Sequence, residues 1–138
     1  FEVAARVIRR AEPGISLPTA VRRAGMPPTH LTVSDLRPAV LSAVREVLAE
    51  VEGTVGVVAT TATRDEVAAW LTDVAEPRLQ VVTGLDAKGM EYDGVVVVEP
   101  GALAAEGTNG VRTLYVALSR ATQRLTTVAT SGAWLPAA

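Results

Sequence analysis

The sequence contains no cysteine, a single histidine and a single lysine, and these scarcities narrow the classes of protein that it can encode. Without cysteine there can be no disulfide and no thiolate-held zinc. The apolar runs are too short to cross a bilayer. The chain also does not open with the basic and apolar regions of a secretory signal. We therefore expect a protein of the reducing cytoplasm, with no membrane partner, no disulfide and no cysteine-ligated zinc.

The chain also has no overall excess of positive charge. The chain carries 13 Lys and Arg against 15 Asp and Glu, which gives a net charge of 13 − 15 = −2. This balance excludes a protein that binds nucleic acid through its overall charge. Any contact with nucleic acid must therefore be local, or shared with parts outside this chain.

Apolar residues are abundant. They make up 49% of the 138 residues while charged residues make up 20%, which is typical of one folded domain with its own core. A helical pattern starts directly at Phe1, with no N-cap residue before it. We therefore expect residues 1–138 to form a single domain that was cut from a longer protein.

Strand and helix patterns alternate along most of the chain, with short connections between them. Strands are predicted at 19–23, 31–33, 54–60, 78–83, 94–98 and 124–130, and helices at 1–11, 35–51, 64–75, 102–105 and 111–121, the one at 35–51 capped by Asp35 and ended by Gly53. This alternation predicts an α/β fold with a mainly parallel sheet flanked by helices. Ligands of such sheets bind beyond the carboxyl ends of the strands. We therefore expect the chemistry to follow Thr60, Thr83 and Val98, and to lie near the helix at 111–121.

The first notable segment, residues 81–98, is a strand, a polar loop and a second strand. Thr83 ends the first strand, where a hydroxyl can meet a phosphate. Gly89 allows a ligand to approach the backbone closely, Lys88 is a point charge suited to phosphate, and Glu91 can accept hydrogen bonds from sugar hydroxyls. A polar connection with solvated charges explains the same residues equally well.

The second notable segment is an amphipathic helix that bears Arg120 on its last turn. A cation in that position interacts favourably with the helix C-terminus, so a structural role is the default interpretation. Arginine is also the side chain that reaches across a domain joint to stabilise the charge of a transferring phosphate. Taken alone, the helix favours the structural role.

Taken together, the two segments resemble motifs V and VI of the UvrD-like superfamily 1 helicases. Lys-Gly-Met-Glu-Tyr-Asp-Gly-Val-Val-Val is followed about twenty residues later by Leu-Tyr-Val-Ala-Leu-Ser-Arg-Ala, in the order and strand context of that family. Residues 54–130 resemble the motif core well, and residues 1–53 resemble the family loosely. The resemblance implies the second motor domain of a larger helicase, with a three-layer RecA-like fold related to the P-loop NTPases.

The resemblance also implies a split ATP site. The sequence has no Gly-x-x-x-x-Gly-Lys-Ser/Thr (Walker A) loop, so we expect ATP and Mg²⁺ to be held mainly by a first motor domain outside this chain. The family's arginine finger matches Arg120, which would contact the γ-phosphate. The ribose-binding glutamate matches Glu91, and Gly89 would let the backbone approach. The isolated chain is therefore not expected to hydrolyse ATP.

The same resemblance implies contacts with single-stranded DNA or RNA. Thr83 matches a residue whose hydroxyl binds the nucleic-acid backbone, and Lys88 would serve that backbone or shape the loop. Thr60, Thr61 and Thr63 follow a strand that matches another backbone-contacting loop. Contacts that read no bases suit a motor that moves along any sequence.

Some features depart from the usual family pattern. Leu85 stands where many members have histidine, and only about twenty residues separate the strands at 54–60 and 78–83. The second feature is similar to the compact second domains of HelD-type proteins, some of which act on RNA polymerase. Two alternatives to a DNA helicase or translocase thus stay open: an ATPase that remodels RNA polymerase, and an inert α/β interaction module.

Overall fold

Five parallel strands form the centre of the molecule. The computed structural model describes residues 28–74, 76–87 and 90–131. The strands are β1 (Thr29–Thr32), β2 (Val55–Ala59), β3 (Leu79–Thr83), β4 (Tyr92–Val98) and β5 (Ala121–Ala129), and the helices are α1 (Leu36–Glu50), α2 (Arg64–Trp70), α3 (Pro100–Ala104) and α4 (Gly110–Ser119). The strand order is β1-β5-β4-β2-β3, and every paired neighbour is parallel. The predicted α/β class with a parallel sheet is confirmed.

The sheet is buried on both faces. One core joins α1 and α2 to side chains of β2, β4 and β5. The second core joins α3 and α4 to the opposite face of the same strands. The middle strands β2 and β4 are therefore apolar at consecutive positions, as expected of a strand that is covered on both sides. The result is the three-layer arrangement that the sequence predicts.

Several element boundaries differ from the sequence predictions. Helix α2 ends at Trp70 rather than residue 75, and turns follow it. Strand β5 begins at Ala121 rather than residue 124, because its first residue pairs with the start of β4. Gly53 does not end α1, since Val51 is the capping residue and is extended. Gly53 instead donates its backbone N–H to Asp93 Oδ2 at 2.9 Å.

Several predictions lie outside the described residues: the helix at 1–11, the strand at 19–23, and the roles of Lys88 and Gly89. Within the described ranges, no helix is long and apolar enough to cross a membrane. In the same ranges, no three His, Asp or Glu side chains are grouped so that they could hold a metal ion.

The carboxyl end of α1 is held by Arg78, which directly precedes β3. Its guanidinium donates to the backbone oxygens of Leu48, Val51 and Gly53 at 2.8, 2.7 and 3.0 Å. These carbonyls belong to the last turn of the helix and the turn after it, where no further helical N–H is available. Arg78 thus fixes α1 to the amino edge of the sheet through charge-assisted bonds.

We expect Arg78→Met to lower the free energy of unfolding by about 2 kcal/mol, because three carbonyl groups lose a charged donor. Urea unfolding measures the change. Arg45→Met is the matched control, since Arg45 is an exposed residue of α1, and it should change stability by less than ~0.5 kcal/mol. Equal stability of the two variants would contradict the role given to Arg78.

Tyr92 is a buried polar residue at the start of β4. It is 2% exposed and its ring packs against Gly56 so closely that a Cβ there would lie 2.8 Å from the ring. Its hydroxyl donates to Gln80 Oε1 over a long 3.4 Å. Burial raises the pKa of Tyr92 above its ordinary value, and the carboxylate of Asp86 adds to the rise.

We expect Tyr92 to make the fold sensitive to alkaline pH. Its ordinary pKa of 10.0 applies to the unfolded chain, so its contribution is complete below that pH and is lost as pH rises towards the higher folded value. Between about pH 9 and 11 the free energy of unfolding of Tyr92→Phe should therefore fall less steeply than that of the wild type. Urea unfolding at constant ionic strength measures both slopes, and identical slopes would contradict this account.

Candidate functional site

The parallel sheet separates the candidate residues into two groups, at opposite edges. Thr60 follows β2 and Thr83 ends β3, so both lie at the carboxyl edge. Glu91 precedes β4 and Arg120 precedes β5, so both lie at the amino edge. Since a strand rises about 3.3 Å per residue, the register places the two edges roughly 20 Å apart along β4.

This arrangement corrects one expectation. The sequence predicts chemistry beyond the carboxyl ends of the strands and near the helix at 111–121. Arg120 does lie at the end of that helix, whereas the carboxyl-edge location is wrong for Glu91. The reason is that β3 and β4 are parallel, so the connection between them has to return across the sheet from the carboxyl edge to the amino edge. Thr83 and Glu91 are close in the sequence, but they lie at opposite edges of the sheet.

Arg120 is half-buried and folds back along α4. Its guanidinium contacts three groups: Nε donates to Val116 O at 3.3 Å, Nη1 to Met90 O at 3.4 Å, and Nη2 to Ser119 Oγ at 3.4 Å. All three bonds are at the long end of the range. Within the part of the chain that the structure describes, these acceptors are neutral and include no carboxylate. Among the described residues, neutral oxygens alone hold the cation in place.

Glu91 lies beside Arg120. The residue before it, Met90, accepts the guanidinium bond, and the residue after it, Tyr92, donates its backbone N–H to Arg120 O at 3.0 Å. Glu91 itself is exposed. Neighbouring strands of a sheet are about 4.8 Å apart, and the pairing of Tyr92 with Ala121 brings the two preceding residues to the same edge. A carboxylate and a guanidinium therefore share one open surface.

Tyr115 lies on α4 near the same cation. It is half-buried against the second core. Burial raises the pKa of its phenol, and the nearby positive charge of Arg120 opposes that rise. The sequence analysis did not select Tyr115, because an aromatic residue at helical spacing is more often a packing residue than a site residue.

The loop after β3 is tightly organised around Thr83. The backbone N–H of Asp86 donates to Thr83 Oγ1 at 3.2 Å, and the N–H of Ala87 donates to Thr83 O at 3.1 Å. A Cβ on Gly84 would lie 2.3 Å from Thr113 Cγ2, so only glycine lets the loop pass so close to α4. The Thr83 hydroxyl accepts one bond and keeps its own hydrogen for another partner.

Leu85 projects from this organised loop. It is 75% exposed, although the turn that carries it is pinned by backbone hydrogen bonds. Leu85 departs from the family pattern, in which many members have histidine at this position. Its side chain is too exposed to be part of the hydrophobic core. Lys88 and Gly89, farther along the same connection, lie outside the described residues.

The threonines after β2 are linked to one another. Thr60 Oγ1 and Thr63 Oγ1 are 2.7 Å apart, and the N–H of Thr63 donates to Thr60 Oγ1 at 3.2 Å. Thr60 is only 7% exposed, whereas Thr61 is exposed. The N–H of Thr61 donates to Glu106 Oε2 at 2.7 Å. Glu106 was not a candidate from sequence, since 45 residues separate it from Thr61 and no motif marks it.

Comparisons with known proteins identify similar domains. Residues 79–128 match the sequence model of the UvrD-like helicase C-terminal domain family. Among solved structures, the chain is similar to the C-terminal domain of a possible DNA helicase from Lactobacillus plantarum WCFS1, with a TM-score of 0.57 and 18% identity over 92% of this chain and 81% of that one. No curated protein is a significant match. The resemblance to UvrD-like helicases is therefore confirmed: residues 79–128, which hold Thr83, Glu91 and Arg120, match the C-terminal domain of that family.

Proposed function

We propose that this chain is the second motor domain of an ATP-dependent superfamily 1 helicase or translocase. It completes an ATP site at the amino edge of its sheet and contacts single-stranded DNA or RNA at the carboxyl edge. The observation that supports this most strongly is the position of Arg120 beside Glu91 at the amino edge, with the guanidinium bonded, within the described residues, through long contacts to neutral oxygens. A first motor domain with a Walker A loop is the implied partner.

The amino-edge residues have the chemistry that ATP needs. A guanidinium that lacks a carboxylate partner within the described residues can turn towards a phosphate at little cost, since the bonds it gives up are long. Arginine in this role stabilises the charge that develops on a transferring phosphoryl group. Glu91 can accept hydrogen bonds from ribose hydroxyls on the same surface. Gly89 is assigned the close backbone approach on the basis of its motif position.

Mg²⁺ belongs to the partner domain in this proposal. The described residues contain no group of three His, Asp or Glu that could hold a metal ion, and bound ATP would bring the metal with it from the first domain. This chain's proposed contribution is to bind, orient and neutralise phosphate charge through Arg120.

The carboxyl-edge residues suit the backbone of a nucleic-acid strand. The Thr83 hydroxyl has a hydrogen left to donate, and Thr61 is exposed. Thr60 and Thr63 hold the neighbouring turn through the hydrogen bond between their hydroxyls. We assign these four threonines to contacts with the nucleic-acid strand. Lys88 is assigned to the same contact on the basis of its motif position. Hydroxyl contacts with phosphates position a strand without reading its sequence.

More specific assignments remain predictions from the sequence alone. These include membership of the HelD-type subgroup, action on RNA polymerase, and the choice between DNA and RNA. No contact in the described residues favours one of them, so we do not propose a second function.

We expect Arg120→Ala in the full-length protein to lower the rate of ATP hydrolysis at saturating ATP and nucleic acid by about a thousandfold or more. ATP affinity should change only a few-fold, because most of the binding comes from the partner domain. Steady-state kinetics and nucleotide-binding titration separate the two quantities. Arg45→Ala, which removes an exposed arginine of α1, is the control. Normal turnover by Arg120→Ala would remove the proposed role of Arg120.

We expect Thr83→Val to weaken single-strand binding by about tenfold or more, because it removes the bond of the hydroxyl to the nucleic acid and also the acceptor of the Asp86 N–H that organises the loop. The salt dependence should not change, since no charge is removed. Fluorescence anisotropy with a labelled oligonucleotide measures both. Thr54→Val is the matched control because Thr54 is an exposed threonine before β2, at the opposite edge. Equal effects of the two variants would contradict the placement of the strand at the carboxyl edge.

A further inference from the structure

The carboxylate of Glu106 accepts a hydrogen bond from the backbone N–H of Thr61, which lies on the proposed nucleic-acid surface. The backbone N–H of exposed Thr61 donates to Oε2 of half-buried Glu106 at 2.7 Å, a short and charge-assisted contact. A backbone N–H is one of the donors that proteins use to hold phosphates. A carboxylate oxygen and a phosphate oxygen have the same charge sign and the same acceptor chemistry, so only one of them can use this donor at a time.

Glu106 lies on a connection that can release the contact without disturbing the core. It follows α3, and its neighbour Gly107 has φ +72° with open space around the position of a Cβ. Thr108 and Asn109, the next residues, are exposed. In contrast, Leu103 and Gly110 on either side are buried, so the connection is anchored at both ends. Rotation of the Glu106 side chain is enough to expose the Thr61 N–H.

The contact is not needed to satisfy the backbone. Thr61 lies at the surface, where water can accept a bond from its N–H. Exposed charged contacts of this kind add little to folding stability. A glutamate at this position does, however, place a negative charge where the proposed function brings a negatively charged strand. Its effect on nucleic-acid binding should therefore exceed its effect on the fold.

We propose that Glu106 is an internal competitor of the nucleic-acid backbone, which holds the Thr61 N–H until a phosphodiester of the bound strand displaces it. The proposal rests on the proposed function, because it takes Thr61 as a contact of the strand. It adds a residue that lowers the affinity for nucleic acid. A motor that moves along a strand has to release and rebind it repeatedly. The ligand class is the phosphodiester backbone of a single strand, whatever its sequence.

The test compares Glu106→Ala, Glu106→Gln and Glu52→Ala in the full-length protein. Fluorescence anisotropy with a labelled oligothymidylate, without nucleotide and at several NaCl concentrations, measures affinity. Glu106→Ala should tighten binding by about two- to tenfold, and the gain should shrink as salt screens the repulsion. Glu106→Gln should give a smaller gain, since its amide oxygen can still accept the bond. Glu52→Ala removes the same charge from an exposed residue at the opposite edge and should have little effect.

Thermal unfolding of each variant shows whether the fold is intact. Unchanged or weaker binding by well-folded Glu106→Ala or Glu106→Gln would overturn the proposal and leave Glu106 as a brace of the turn. Thr61→Val and Thr83→Val separate this failure from that of the proposed function. If both threonine variants weaken binding while the Glu106 variants do not strengthen it, only the competitor role is wrong. If neither threonine variant affects binding, the carboxyl edge is not the nucleic-acid surface.

Discussion

The parallel pairing of β4 with both β2 and β5 determines where every candidate residue lies. Parallel neighbours start at one edge of the sheet and end at the other. The connection from Thr83 to Glu91 therefore has to cross the full height of the sheet, and its two ends serve different surfaces. One stretch of about eight residues thus joins the proposed nucleic-acid edge to the proposed ATP edge.

The packing keeps this central strand in place. β4 is buried along its length, with helices on both faces, and Gly94 leaves room for Val47 of α1, since a Cβ there would lie 2.4 Å from that side chain. Buried Arg124 of β5 contributes from the next strand, because its Nε lies 3.0 Å from Glu50 Oε1 of α1. A buried cation that loses its partner is costly, so this pair fixes the register of β5 against α1. The position of Arg120, four residues earlier, depends on that register.

Much of this architecture could be predicted from the sequence. The valine run of β4 and the amphipathic pattern of α1 gave the layers correctly, because burial on one or both faces leaves a clear periodicity. The edge at which Glu91 and Arg120 lie could not be predicted, since it depends on strand pairing between distant segments. The contact of Glu106 with Thr61 was missed for the same reason. The site roles of Lys88 and Gly89 remain predictions from motif position.

In the proposed function, Arg120 and Glu91 reach one ATP molecule held by a second domain. The most direct measurement is a crystal structure of the full-length protein with ADP, Mg²⁺ and aluminium fluoride, which imitates the phosphoryl group in transfer. The account predicts that the Arg120 guanidinium leaves Met90 O and lies about 3 Å from the fluoride ligands, with Glu91 at hydrogen-bond distance from the ribose. A nucleotide bound with both side chains directed away from it, and no other group of this chain in contact, would contradict the account.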